Sequence, residues 1–246
     1  MNDNKTLKEG EFEVLVRDRI KNFWGYGNIK GKTWFIGMEE GTNQDIENLV
    51  ARFRETADRE VFDLVEDFKS DPRHVNWFKD KAPTQATYRK LIYLLLYTKN
   101  KTKPTLDEIR DYQIHNFGRK TSDHAILELM PLPVKSLSKK DWIYSDTNIA
   151  GLENRKSYLD LYKPERVKRL HQLISIHKPK VVIFYSLTYL PDWQSIIPKP
   201  LNEVISRKLY TAKDDVTLYA VIPHSTARKV SSDDWEKIAE NLIHLI

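Results

Sequence analysis

The sequence predicts an α/β protein, with a parallel sheet of four strands covered on both faces by helices. Three observations carry that prediction. Four short apolar, β-prone runs are spread along the chain. Segments with helical spacing of apolar residues separate them, the alternation that a parallel sheet requires. No Pro/Gly/Ser-rich linker or shift in composition divides the 246 residues, so residues 1–246 read as one domain.

Residues 11–23 set Phe12, Val14, Leu15, Val16 and Ile20 at roughly helical spacing among charges, a first helix. Phe23-Trp24-Gly25-Tyr26-Gly27-Asn28 reads as an aromatic turn ahead of the first strand, Thr33-Trp34-Phe35-Ile36. Over 44–68, Ile46, Leu49, Val50, Phe53, Ala57, Val61, Val65 and Phe68 mark one face of a long helix or a broken pair. Phe53 reads as core on that stripe, although such a ring can also stack on a base. Helices follow over 87–97 and 106–117. His124-Ala125-Ile126-Leu127-Glu128-Leu129-Met130 is the second strand, ended by Pro131-Leu132-Pro133. A helix over 164–177 precedes the clearest strand, Pro179-Lys180-Val181-Val182-Ile183-Phe184-Tyr185-Ser186, and 217–222 is the fourth. A closing amphipathic helix spans 231–245, entered through Ser232-Asp233-Asp234-Trp235 as an N-cap.

Composition narrows the function classes. The chain has no cysteine, which excludes disulfides, thiolate catalysis and cysteine-ligated iron–sulfur or zinc sites. No run reaches the ~18 apolar residues of a membrane span, and Met1-Asn2-Asp3-Asn4-Lys5 opens no apolar signal segment. The expectation is an intracellular monomer, cytoplasmic or associated with the nucleoid or nucleus. A net charge of +5 suits a polyanionic partner without demanding one. The seven histidines show no metal-ligand spacing, and Gly25-Tyr26-Gly27 precedes a strand instead of opening a helix after one, so no metal or organic cofactor is expected.

Two strand ends carry the chemistry. The first strand runs into Gly37-Met38-Glu39-Glu40-Gly41, and the last into Pro223-His224-Ser225-Thr226-Ala227-Arg228. An apolar run that stops at small, charged or hydroxyl residues is how a buried parallel strand delivers a loop to a ligand crevice. Glu39 and Glu40 also suit the first turn of a following helix, where carboxylates are favoured. Glu128 is the only charge in the second strand, either a ligand contact or a paired structural carboxylate. After it, Lys135, Ser136 and residues 137–140 combine hydroxyls and positive charge, as a phosphate-gripping or merely solvated loop would. Arg155, Lys156, Lys163, Arg166, Lys168 and Arg169 read as the solvated face of a helix.

This pair of motifs resembles those of the uracil-DNA glycosylase superfamily, most closely its thymine- and mismatch-specific branch. There a Gly-x-Asn-Pro-Gly turn follows the first strand and a Pro-x-Ser-x-x-Arg-like loop follows the last. The resemblance implies a three-layer α/β/α domain with a four-stranded parallel sheet. It places Glu39 where the family positions the attacking water, with Gly37, Met38 and Glu40 completing the base pocket. Ser225, Thr226 and Arg228 fall on the segment that grips DNA phosphates and wedges into the vacated stack, joined by Lys135 and Ser136. His224 departs from the usual His-Pro-Ser order, Glu40 replaces the family's Pro, and Glu128 stands where an Asn reads the base edge. An ionised Glu only accepts hydrogen bonds, and repels a base carbonyl unless it is protonated.

The function expected is a DNA glycosylase that flips a damaged or mismatched base and hydrolyses its N-glycosidic bond, with Glu39 and His224 catalytic. The alternatives are a non-catalytic nucleic-acid or nucleotide binder of the same fold, and a small-nucleoside hydrolase. Gly37, Glu39, Glu128, His224 and Ser225 are expected to converge at the carboxyl ends of the strands.

Overall fold

The structure is a computed structural model that describes residues 10–42, 45–69, 75–136 and 141–246. Residues 137–140 of the basic loop, Gln44 and the chain start lie outside the described residues.

The four runs read as strands form the parallel centre of the sheet: β2 (Thr33–Gly37), β4 (His124–Glu128), β5 (Val181–Tyr185) and β8 (Leu218–Ile222), in the order β4-β2-β5-β8. Their near-continuous apolar sequences follow from burial on both faces. The expectation of four strands is corrected, because among the described residues the sheet has eight. β1 (Gly25–Gly27) pairs antiparallel with β4 and parallel with β3 (Val61–Phe62). At the other edge, β7 (Leu209–Lys213) and β6 (Asn202–Ile205) add an antiparallel hairpin beside β8. These outer strands are two to five residues long and partly polar, so no apolar run announces them.

The aromatic turn is therefore strand β1. Gly25 has φ 151°, and a Cβ there would lie 2.1 Å from the Ile126 carbonyl oxygen, so only glycine permits the pairing with β4.

Alternate residues of the central strands face two separate cores. Trp34, Ile36, Leu127, Val182, Phe184 and Val221 meet α1 (Glu11–Asn22), α2 (Ile46–Thr56), α6 (Arg155–His177) and α7 (Leu190–Ile196). Phe35, Ile126, Ile183, Ala220 and Ile222 meet α3 (Leu64–Phe68), α4 (Ala86–Asn100), α5 (Leu106–His115) and α8 (Ser232–Leu245). Helices thus cover both faces. The broken pair over 44–68 resolves into α2 and α3 with β3 between them, and Phe53 is buried in the first core.

Local signals set the helix starts. Asp45 caps α2 by accepting from the Asn48 amide, so neither Glu39 nor Glu40 caps it. Ser231, one residue before the expected entry, caps α8 in a capping box with Asp234. α6 begins at Arg155 and not at Pro164, continuing through a proline that removes one backbone donor. Its charged first turns, with Tyr158 the only buried residue before Pro164, conceal that extension.

Candidate functional site

The chain leaves β2 for β4 on one side of the sheet, then returns through α6 to β5 on the other. In open parallel sheets a reversal of this kind is where ligands bind, beyond the carboxyl ends of the strands. The two turns that border it are laced together. The amides of Leu129 and Met130 donate to the carbonyls of Gly37 (2.8 Å) and Met38 (2.7 Å). Val134 donates to the Glu40 carbonyl and Thr42 to that of Val134, both at 2.9 Å. The Gly37–Gly41 segment is therefore a continuation of parallel pairing, with its side chains held in fixed directions.

Gly37 and Glu128 are register partners, and with Tyr185 they share one face of the sheet. The Tyr185 hydroxyl donates to Glu128 Oε1 at 2.8 Å. A Cβ at position 37 would lie 2.3 Å from Glu128 Oε2 and 2.5 Å from the Tyr185 oxygen, so glycine makes room for the pair. Gly37→Ala is expected to break this hydrogen bond and cost ~1–3 kcal/mol by overpacking, read from the denaturant midpoint. An unchanged midpoint would show that the two side chains move aside freely.

Burial lifts the Glu128 carboxyl to about 8, against the Tyr185 hydrogen bond and helped by the charges of Glu40 and Glu39. In the unfolded chain the same group ionises near ~4.3. The folded state thus holds a proton that the unfolded state releases across this window. Its contribution to stability is complete below the lower value and is lost as pH rises through about 8. Glu128→Gln is expected to flatten that decline, measured by denaturation at pH 5 and pH 8. Parallel losses in the two proteins would assign the slope to another group.

Glu39 projects from the same turn on different support. Its Oε1 accepts from Arg155 Nε at 2.8 Å and from Arg155 Nη2, and Arg155 Nη2 also reaches the Tyr189 hydroxyl at 3.4 Å. Burial raises the Glu39 carboxyl while the Arg155 guanidinium opposes it. Glu40 points into a buried network instead. Arg52 Nη2 donates to its Oε1 (2.9 Å) and Oε2 (3.1 Å), and the Tyr26 hydroxyl oxygen lies 3.1 Å from Oε2. Met38 packs in the core beside Trp34 and Ile36, so its backbone is what it presents to the turn.

Beyond β8, the ring of His224 lies 6.0 Å from that of Tyr185, which joins the last loop to the Gly37 and Glu128 side. His224 Nδ1 accepts from the Thr226 amide at 3.3 Å and lies 2.8 Å from its hydroxyl. The neutral ring therefore carries its proton on Nε2, and burial lowers its pKa, favouring that neutral form. Ser225 is buried, whereas Thr226 and Arg228 are exposed. Lys135 and Ser136 are exposed on the other loop, where the Ser136 hydroxyl donates to Asp141 and Lys135 Nζ lies 4.0 Å from the same carboxylate.

Among the described residues, three buried oxygens at these strand ends have no hydrogen-bond partner: Glu39 Oε2, Glu128 Oε2 and Ser225 Oγ. Such atoms are costly unless a ligand or water satisfies them. If Glu128 holds its proton on Oε2, it offers a donor there and an acceptor at Oε1, the combination of an amide side chain. Glu39 offers a carboxylate oxygen held in place by Arg155 through its other oxygen. At the end of β5, Ser186 adopts φ 153°, a rare conformation for a non-glycine residue, anchored by Trp193 Nε1 donating to its carbonyl at 2.9 Å.

Tyr185 and Arg155 belong to this site and were not legible as site residues. Tyr185 is the last residue of an all-apolar strand and reads as core, although that terminal place is a usable signal. The solvated basic face expected of this helix is corrected for Arg155, which pairs with Glu39, and for Arg166. Arg166 is 2% exposed and donates to the carbonyls of Leu129 (2.8 Å) and Glu128 (3.1 Å). Among the described residues, no group of three or more His, Asp or Glu side chains is arranged to hold a metal ion. No helix among them is long and apolar enough to cross a membrane.

No protein-family model matches the sequence, and no curated protein matches it.

Proposed function

We propose that this protein is a DNA N-glycosylase acting on an extruded base in the crevice beyond β2, β4, β5 and β8. The observation that supports this reading best is the pair of unsatisfied buried carboxyl oxygens, Glu39 Oε2 and Glu128 Oε2, on adjoining parallel strand ends. A flipped base carries the complementary donors and acceptors.

In this mechanism, protonated Glu128, oriented by Tyr185, reads the base edge as donor and acceptor. That removes the repulsion an ionised Glu would exert on a base carbonyl. The free oxygen of Glu39 orients a water toward the anomeric carbon of the sugar. The bond from that carbon to the base nitrogen breaks, its electron pair leaves with the base, and His224 Nε2–H stabilises the negative charge that develops. The water oxygen bonds to the carbon and its proton passes to Glu39. Ser225, Thr226, Lys135 and Ser136 contact phosphates, and Arg228 fills the vacated stack.

The Glu39–Arg155 ion pair favours one competing reading, a non-catalytic nucleic-acid binder of this fold, because it supplies Glu39 with a structural partner. The test is a panel of duplex and single-stranded DNAs, each with one altered or mismatched base, treated with alkali after incubation. Alkali-labile sites are the expected result. Binding without such sites supports the competing reading, and turnover of free nucleosides alone identifies a small-nucleoside hydrolase.

A further inference from the structure

The groove between α1 and α6 collects positive charge that the crevice does not use. Arg17 and Lys21, four residues apart on α1, face Tyr162, Glu165, Arg166 and Arg169 on α6, with Ile20 forming part of the floor. The open pocket they line has a volume of about 320 Å³, at the low end of the range of small-ligand sites.

We propose that this pocket binds a phosphate monoester, with Arg166 as the buried anchor and Arg17, Lys21 and Arg169 at the rim.

Arg166 carries the inference. It is 2% exposed, and its guanidinium stacks on the Trp24 ring at 3.3 Å. Its Nε and Nη2 are used by the Leu129 and Glu128 carbonyls, while Nη1 is buried without a hydrogen-bond partner among the described residues. Elsewhere the buried arginines of this protein face carboxylates: Arg52 meets Asp67 and Glu40, and Arg19 lies 3.7 Å from Glu40. Among the described residues no carboxylate lies within 4.0 Å of Arg166, Arg169, Arg17 or Lys21, and Glu165 pairs with none of them. An uncompensated buried guanidinium is costly, and an anion from outside the chain supplies the missing charge. Burial draws the Arg166 guanidinium down to about 9, and the neighbouring Arg169 charge acts in the same direction.

The chemistry favours phosphate over a lone carboxylate. Arginine forks match phosphate oxygens bidentately, and several cations around one space suit a doubly charged group. Arg17 Nη2 already donates to the Asn148 carbonyl and Arg169 Nη1 to that of Lys21, so both guanidinium groups are partly oriented while keeping donors in reserve. The volume exceeds one phosphate group, leaving Ile20 and the Tyr162 ring to contact whatever carries it. The anchor touches the proposed chemistry only through the Glu128 and Leu129 carbonyls, and its test does not depend on base excision.

Isothermal titration at constant ionic strength with inorganic phosphate, and with a trinucleotide bearing or lacking a 5′-phosphate, tests the assignment. The expected result is saturable phosphate binding by the wild-type protein, weakened at least tenfold in the double variant Arg17→Gln, Lys21→Gln. Both substitutions lie on exposed helix positions, and the variant's fold is checked by its denaturation midpoint. Arg166→Lys, which keeps charge but loses the fork, is expected to weaken binding as well. Tighter binding of the 5′-phosphorylated trinucleotide than of inorganic phosphate identifies a nucleic-acid end as the source, and equal binding identifies a free phosphate ligand. No saturable binding by the folded wild-type protein, or equal binding by the double variant, overturns the proposal.

Discussion

Replacing Arg52 with alanine is expected to cost ~3–5 kcal/mol of folding stability, because it leaves the buried Asp67 carboxylate without its cation. Arg52 is 1% exposed and Asp67 fully buried. Arg52 donates to Asp67 Oδ2 through Nε at 3.0 Å and Nη2 at 2.6 Å, and the same Nη2 serves Glu40. Tyr26 closes the network by donating to Asp67 Oδ2 at 2.6 Å, and the Arg52 guanidinium lies over the Phe68 ring at 4.6 Å. Denaturant unfolding at pH 7 reads the loss. Adding Asp67→Asn to the alanine variant is expected to recover part of it by removing one stranded charge. A loss below ~1 kcal/mol would mean that water enters and solvates the carboxylates. Because Glu40 lies in the turn that carries Glu39, the network also fixes the geometry of the proposed site.

Glu39→Gln is expected to slow base excision by ~10²–10⁴-fold while leaving DNA affinity within a few-fold of wild type. The amide oxygen of Gln keeps the Arg155 contact, so the change falls on the free oxygen that orients water. Single-turnover rates with separately measured affinities distinguish this from a binding defect. Undiminished turnover by purified Glu39→Gln protein would remove Glu39 from the mechanism. The pH profile adds a second constraint. Glu39 must be ionised, so the rate climbs through its raised pKa, whereas Glu128 must be protonated, so the rate falls as pH passes about 8. Glu128→Gln should remove the descending limb.

The centre of the fold was legible because β2, β4, β5 and β8 are five-residue runs buried on both faces, a condition that writes itself into composition. The edges were not. β1 needs two glycines and an aromatic, which read equally well as a turn, and the β6–β7 hairpin carries exposed polar residues. In the site, Gly37 and Glu128 could be named from their positions at strand ends. Their relation to Tyr185 follows from strand order, which periodicity does not encode. Arg155 reaches Glu39 across 116 positions of chain, and Glu40 is matched to Arg52 and Asp67 by tertiary packing. Buried ion pairs of this kind look like surface charge in a sequence, since nothing local distinguishes a solvated arginine from a caged one.

Release of the base itself is the most direct test of the proposed activity. Wild-type protein is incubated in heavy-oxygen water with duplexes that each carry one altered or mismatched base, and the products are resolved by mass spectrometry. The expected result is at least one base set free, with heavy oxygen on the sugar carbon that held it, and release slowed ~10²–10⁴-fold in Glu39→Gln. Tight binding of these duplexes with every base still attached would contradict a glycosylase at this crevice.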